Sequence, residues 1–194
     1  MYQYFFNFKT HLSAIYWRMI SNYWYRFFFK SKGKNSCIVH PLSIEKPNSI
    51  SIGENVTINK YSWFYSVNEE SMINISDGTC IGHFFHCVSL NKVTIGSNVL
   101  IADRVFISDC THEFIDINIP IIKQSIRELP VTSIGDNSWI GENVSIIGCK
   151  VGKHSIIGAN SVVVKDIGDY CVAAGNPARV IKQYNFTTKK WEKV

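Results

Sequence analysis

From Ile52 onward the chain places an aliphatic or equivalent apolar residue at every sixth position, in groups of three. The groups are Ile52, Ile58, Phe64; Ile75, Ile81, Cys87; Ile95, Ile101, Ile107; Ile134, Ile140, Ile146; and Val151, Ile157, Val163. Glycine often follows, as at Gly53, Gly96, Gly135 and Gly141, and a small or β-branched residue recurs two positions before the next hexad. A period of six fits neither a helix, at about 3.6 residues per turn, nor a plain alternating strand. It predicts an all-β parallel solenoid in which each short strand points one residue into a narrow core between tight turns.

Three hexads close one triangular coil, and the irregularities obey that rule. Phe64 to Ile75 carries five residues beyond a hexad, Cys87 to Ile95 two, and Ile107 to Ile134 twenty-one, while Ile146 to Val151 is one short. Every break follows a third hexad, so the irregular segments leave from a single corner of the prism. A sandwich of short strands also alternates, but it has no reason to hold one six-residue phase through 15 positions. Residues 37–50, with Ile38, Ile44 and Ile50, keep the spacing in a shifted phase and are expected to cap the solenoid. This gives a solenoid domain over 37–182 and a polar tail over 183–194 that packs back through Tyr184, Phe186 and Trp191.

Residues 1–36 form a different arm. Phe5, Phe8, Leu12, Ile15, Met19, Tyr23 and Phe27 recur at helical spacing, with Lys9, Arg18 and Arg26 on other faces, predicting an amphipathic helix over 2–32. Of the 26 aromatic residues, 13 fall between Tyr2 and Phe29. The charge divides at the same place. The net charge is +5, yet residues 1–44 hold six basic groups and no acid, leaving 14 basic against 15 acidic residues beyond. The body is neutral, and no nucleic-acid partner is needed to explain the charge. The arm suits either an anionic membrane surface or packing on the prism or a neighbouring subunit.

No apolar run approaches the length of a membrane span or a signal-peptide core, so a cytoplasmic protein, peripheral on the inner face of the membrane if the arm binds lipid, is expected. The six cysteines form no CxxC pair and read as small buried residues.

The runs Ile134-Gly-Asp-Asn-Ser-Trp-Ile-Gly-Glu-Asn-Val, Ile157-Gly-Ala-Asn-Ser-Val-Val-Val-Lys-Asp and Ala174-Gly-Asn-Pro-Ala-Arg-Val-Ile-Lys resemble the left-handed β-helix, hexapeptide-repeat acyltransferases. The branch they resemble is that of sugar and polysaccharide O-acetyltransferases, similar to maltose and galactoside acetyltransferases. The likeness spans about residues 50–182. It implies a homotrimer of parallel prisms with acetyl-CoA between neighbouring subunits, no metal, and a histidine near the long loop as general base.

Acetyl transfer to a hydroxyl needs a base, an oxyanion donor and a groove for the cofactor. His112, at the lip of the long insertion, matches the family's catalytic position, and imidazole titrates nearest neutrality. Asp109, Glu113 and Asp116 are the nearby groups that could orient its ring, and the residues alone do not choose among them. The resemblance implies the Glu142 backbone N–H as oxyanion donor and Trp139 beside the acceptor or pantetheine, with burial of Trp139 between subunits as the alternative. It further implies Ala159 and Val164 along the pantetheine arm, and Lys165, Arg179 and Lys182 at the CoA phosphates. The loop from Glu113 to Ser133 is apolar through Ile115, Ile117, Ile119, Ile121 and Ile122, which predicts packing against another subunit. One departure stands out. The family's acceptor-contacting Asn falls by phase on Gly82, beside His83 and His86, so acceptor recognition differs from that of a free disaccharide. His83, His86 and His112 also raise a metal-dependent hydratase, at spacings unlike that branch.

The expected activity is O-acetylation of a bacterial surface glycan, O-antigen or capsule, or its lipid-linked precursor. N-acetylation of an amino sugar, or acetylation of a small molecule, is the alternative, and a non-catalytic scaffold is a third.

Overall fold

The structure is a computed structural model that describes residues 2–194, with side-chain placement from residue 12 onward, Ala14 excepted. Phe5, Phe8 and Lys9 of the predicted helical stripe therefore lie outside the described side chains.

The hexads fold as the triangular coils their phase requires. Three faces run the length of the prism, two of six parallel strands and one of nine whose last two strands join antiparallel. On the first face Ile52, Ile75, Ile95, Ile134 and Val151 stack in register. Ile58, Ile81, Ile101, Ile140, Ile157 and Ala173 do so on the second. Phe64, Cys87, Ile107, Ile146 and Val163 complete the third. Nearly all are sealed from solvent in one continuous core. The solenoid matches a left-handed β-helix of about seven turns.

Close stacking dictates the small residues. A Cβ at Gly135 would come within 2.5 Å of the Lys153 backbone nitrogen in the next coil, a contact no side chain can make. Buried hydroxyls tie successive coils: Ser138 Oγ donates to Gly152 O at 2.8 Å and accepts the Ser155 N–H at 3.1 Å. Asn55, Asn98 and Asn137 hold the left-handed turn at the first corner, where Asn is better tolerated than most residues.

Two boundaries differ from the sequence expectation. The helix α1 covers Tyr2–Tyr23 rather than 2–32, because the chain beyond it is captured by the sheet. The Lys30 N–H donates to Ile50 O, the Gly33 N–H to Ile52 O, and Ser31–Lys32 pairs with Ser51–Ile52. The first coil is thus Lys32, Ile38 and Ile44, in phase with Ile52, Ile58 and Phe64. Ile50 belongs to the second coil, where it aligns with Ile73 as an additional inward residue. Phe29 buries its ring in the core at that end. At the other end the chain reverses at Gly175, and Ala178–Asn185 runs antiparallel to Cys171–Gly175. Lys190–Lys193 then pairs back on it, with Tyr184 and Trp191 rings 5.4 Å apart.

Candidate active site

The third corner, between the third and first faces, carries every irregular segment. There Ser108 ends its strand, and Cys110–His112 diverges to pair antiparallel with Ile126–Glu128. This two-stranded ribbon lifts His112 off the prism with its ring exposed. The ribbon is anchored at its base: the Leu129 N–H donates to Asp109 O at 2.8 Å, and Asn91 Nδ2 donates to Glu128 Oε1 at 2.6 Å.

Asp109 corrects one expectation. Its side chain is sealed from solvent and accepts the N–H groups of Leu90, Asn91 and Lys92 and the Ser89 hydroxyl. A carboxylate committed to four donors holds the turn of the preceding coil, and it neither orients His112 nor lines an acceptor pocket. Glu113 accepts its neighbour's N–H, that of Phe114, at 2.9 Å, and Asp116 accepts that of Asn118. Among the described residues no carboxylate bonds the His112 ring.

The second corner, between the second and third faces, holds Glu142. At four positions, three on the first corner and His83 on the second, the N–H two residues after an inward aliphatic side chain donates to an aspartate at the same place in the following coil. Glu54 donates to Asp77 at 2.7 Å, His83 to Asp103 at 2.7 Å, Ser97 to Asp136 at 2.7 Å, and Lys153 to Asp169 at 2.9 Å. Glu142 occupies that place after Ile140, but the following coil supplies Ala159. Its N–H has no acceptor among the described residues, while Gly141 and Asn143 on either side donate to Ile157 O and Asp103 O. The Glu142 carboxylate is turned away to Arg104, at 2.6 Å.

The cofactor candidates fall into two groups. Trp139 points outward on the second face between Leu100 and Ile156, in a row that continues through Val172 to Lys182. Arg179 pairs with Ala174, next to Gly158 and Ala159. Glu142, Ala159 and Arg179 therefore descend along the second corner, with Trp139 and Lys182 on the adjoining face. Val164 and Lys165 lie exposed at the third corner, on the side of His112. The two groups border opposite edges of the third face. Its strand Ser145–Ile147 alone separates them by ~10 Å within one chain.

His83 and His86 also part company. His83 Nδ1 lies 3.2 Å from Asp103 Oδ1 at the second corner. The same aspartate takes the His83 N–H, and these contacts hold its carboxyl below the usual range. His86 sits on the third face with its ring stacked 4.3 Å from Trp63 and tilted 5.1 Å from Phe106. Burial lowers its pKa, and its buried Nε2 has no partner among the described residues. No three His, Cys, Asp or Glu side chains converge on a metal-sized site among the described residues. All six cysteines are unpaired, and burial raises the Cys149 thiol to about 11.

A ladder at the second corner escaped the sequence reading. Trp17 of α1, His40, Tyr61 and Phe84 follow one another at 5.0–5.4 Å, and the Arg104 guanidinium caps Phe84 at 5.7 Å. It leads to the Arg104–Glu142 pair. The signal was present as Tyr61, Phe84 and Arg104, each three places after Ile58, Ile81 and Ile101 and so at the same corner.

No protein-family model matches the chain. The Escherichia coli K12 protein WbbJ, named for O-acetyl transfer in lipopolysaccharide biosynthesis, is 37% identical over 160 residues, covering 79% of this chain and 81% of WbbJ. The galactoside O-acetyltransferase of the same organism is 36% identical over 160 residues, covering 78% and 75%. Among solved structures, the Bacillus cereus N-acyltransferase AntD, in complex with coenzyme A and dTDP-4-amino-4,6-dideoxyglucose, superposes with a TM-score of 0.71 at 22% identity, covering 84% of this chain and 88% of AntD. The hexapeptide-repeat acetyltransferase VCA0836 of Vibrio cholerae gives 0.57 at 25% identity, over 83% and 77%.

Proposed function

The chain belongs to the hexapeptide-repeat acetyltransferases and is an acetyl-CoA-dependent enzyme, and from that footing we propose that it O-acetylates a glycan of the bacterial surface or its lipid-linked precursor. The observation that carries this reading is the match to WbbJ over four-fifths of both chains, taken with a second corner whose Glu142 N–H is left free.

In the proposed reaction His112 takes the proton of the acceptor hydroxyl. The oxygen attacks the thioester carbonyl carbon, forming the new C–O bond as negative charge collects on the carbonyl oxygen. The Glu142 N–H stabilises that oxyanion. Collapse breaks the C–S bond, and the CoA thiolate recovers the proton from His112. Buried thiols such as Cys149, pushed up to about 11, are poor nucleophiles at neutral pH, so direct transfer is preferred to an acyl-enzyme. Trp139 and Ala159 lie where a pantetheine arm would follow the second corner. Arg179 and Lys182 then meet the CoA phosphates, with Val164 and Lys165 contributed from a neighbouring copy.

The separation of His112 from Glu142 supports a site shared between subunits of a homotrimer. So does the loop, whose Ile117 and Ile122 are 93% and 88% exposed in one chain. Isoleucines this bare are expected to meet another surface.

Thiol release from acetyl-CoA, measured with a panel of glycan acceptors, tests the reading. Hydroxyl sugars should be turned over by the natural protein, with His112→Ala reduced by about 10²- to 10⁴-fold. Turnover confined to amino sugars would favour N-acetylation, and undiminished turnover by His112→Ala would remove the histidine from the mechanism.

A further inference from the structure

Helix α1 docks on the prism by the wrong face for a soluble amphipathic helix. Ser21, on its inner side, is sealed: its hydroxyl accepts the Ile38 N–H at 2.9 Å and donates to Ile38 O at 3.1 Å. Trp17, one turn earlier, packs edge-on against His40 at 5.2 Å. At about 100° per residue, Leu12, Ile15, Tyr16, Met19 and Tyr23 fall on the opposite side, and all are exposed. Ile15 is 58% and Tyr23 66% accessible. The apolar surface continues past the helix into Trp24, Phe27 and Phe28 and reaches Leu42 on the first coil. A helix placed to complete the core would turn this face inward.

The charge around this face selects what covers it. Arg18, Arg26, Lys30 and Lys34 are exposed along the same end of the molecule, and no acid occurs before Glu45. A symmetric contact between two copies of this face would bring like charges together with nothing to neutralise them. A surface of anionic headgroups over hydrocarbon satisfies both the basic groups and the aromatic-rich face, since Trp and Tyr favour the membrane interface. The helix is not long and apolar enough to cross a bilayer, so it lies along one. We propose that the outward face of α1, together with Phe27 and Phe28, binds the surface of an anionic lipid bilayer. The proposal stands on the arm alone and does not depend on which acceptor the enzyme acetylates.

The test is flotation of the full-length protein with vesicles of phosphatidylcholine alone or with phosphatidylglycerol added. The natural protein should float with the anionic vesicles and remain below with the neutral ones, and high salt should release it. Ile15→Glu with Met19→Glu, both at exposed positions, should lower the bound fraction at least about tenfold. Arg18→Glu with Arg26→Glu should lower it by a comparable factor. Unchanged thermal melting and unchanged acetylation of a soluble acceptor would show that both variants are folded. Failure of the natural protein to float with anionic vesicles would overturn the proposal, as would undiminished flotation of the Ile15→Glu, Met19→Glu variant. A fall in oligomer mass in that variant, with no vesicle binding by the natural protein, would instead assign the face to a subunit contact.

Discussion

The second and third corners of the prism border the same face yet are built on opposite principles. At the second corner every regular coil spends the same number of residues, and Tyr61, Phe84, Arg104, Asn143 and Asn160 repeat one left-handed turn. What such a corner offers is backbone, a column of N–H groups at fixed spacing in which Asp103 captures that of His83 and, among the described residues, no carboxylate captures that of Glu142. At the third corner the spacing changes from coil to coil, and the chain departs for the ribbon that carries His112. That corner offers a side chain that can be aimed. Proton transfer needs the second property and oxyanion stabilisation the first. Because the two corners lie at opposite edges of one face, the proposed site needs a corner from each of two copies.

Mixing subunits is the sharpest way to break that comparison. His112→Ala disables the third corner. Ala159→Asp should disable the second, by supplying the carboxylate that captures an N–H in four other coils; Gly141 leaves room for it, as Gly96 does for Asp136. Each homogeneous variant should lose at least about 10²-fold in turnover. In the proposed homotrimer, reassembly from an equal mixture should recover about a quarter of natural activity, since each site then draws its two corners independently. No recovery would place both corners of a site in one chain. Ala159→Asp alone also tests the oxyanion assignment: its stability should stay within about 0.5 kcal/mol of the natural protein, and kcat should fall with the KM for acetyl-CoA little changed, since a disturbed pantetheine contact would raise KM instead. A variant that kept full turnover would acquit the Glu142 N–H.

The corners should differ in how they fail structurally. Asp109→Ala strands three backbone N–H groups of a half-buried turn and should cost about 3 kcal/mol, read from denaturant unfolding. Asn143→Ala at the second corner places alanine at a φ of 58° and should cost only about 1 kcal/mol. Equal losses would mean that the irregular corner is no more dependent on a single buried group than the regular one.

What the sequence disclosed follows the same division. Regular coils are legible because one inward residue per strand repeats at constant phase, so Ile52 through Val163 could be placed, and the breaks located at one corner, from spacing alone. The first coil is not legible in the sequence because its first inward position is Lys32, which carries no hydrophobic signal, while Ile50 offers a false one. The helix end was hidden for a related reason: it is set by hydrogen bonds from Lys30 and Gly33 to a strand twenty residues away. At the site, His112 was legible as the imidazole beside the longest insertion. Asp109 looked equally chemical, and only its four donors reveal that it is structural. Glu142 could be named by resemblance, whereas the reason its N–H is free lies in a residue that is missing, the carboxylate absent at Ala159, and an absence has no motif.

The smallest effect concerns the ladder of aspartates that accept N–H groups from the preceding coil. Asp103 accepts the His83 N–H, which, with the His83 ring close by, holds its carboxyl below the usual range in the folded chain. A depressed folded pKa contributes stability that is present above the unfolded value, about pH 4, and is lost as the pH falls through the folded value. Asp103→Asn should therefore melt below the natural protein at pH 6, and the gap should close by pH 3. Because the group is largely in water, the gap should be no more than about 2 °C. A gap that persists unchanged at pH 3 would mean that the ladder holds its coils by hydrogen-bond geometry rather than by charge. Ala159→Asn would then be expected to silence the Glu142 N–H as well as Ala159→Asp does.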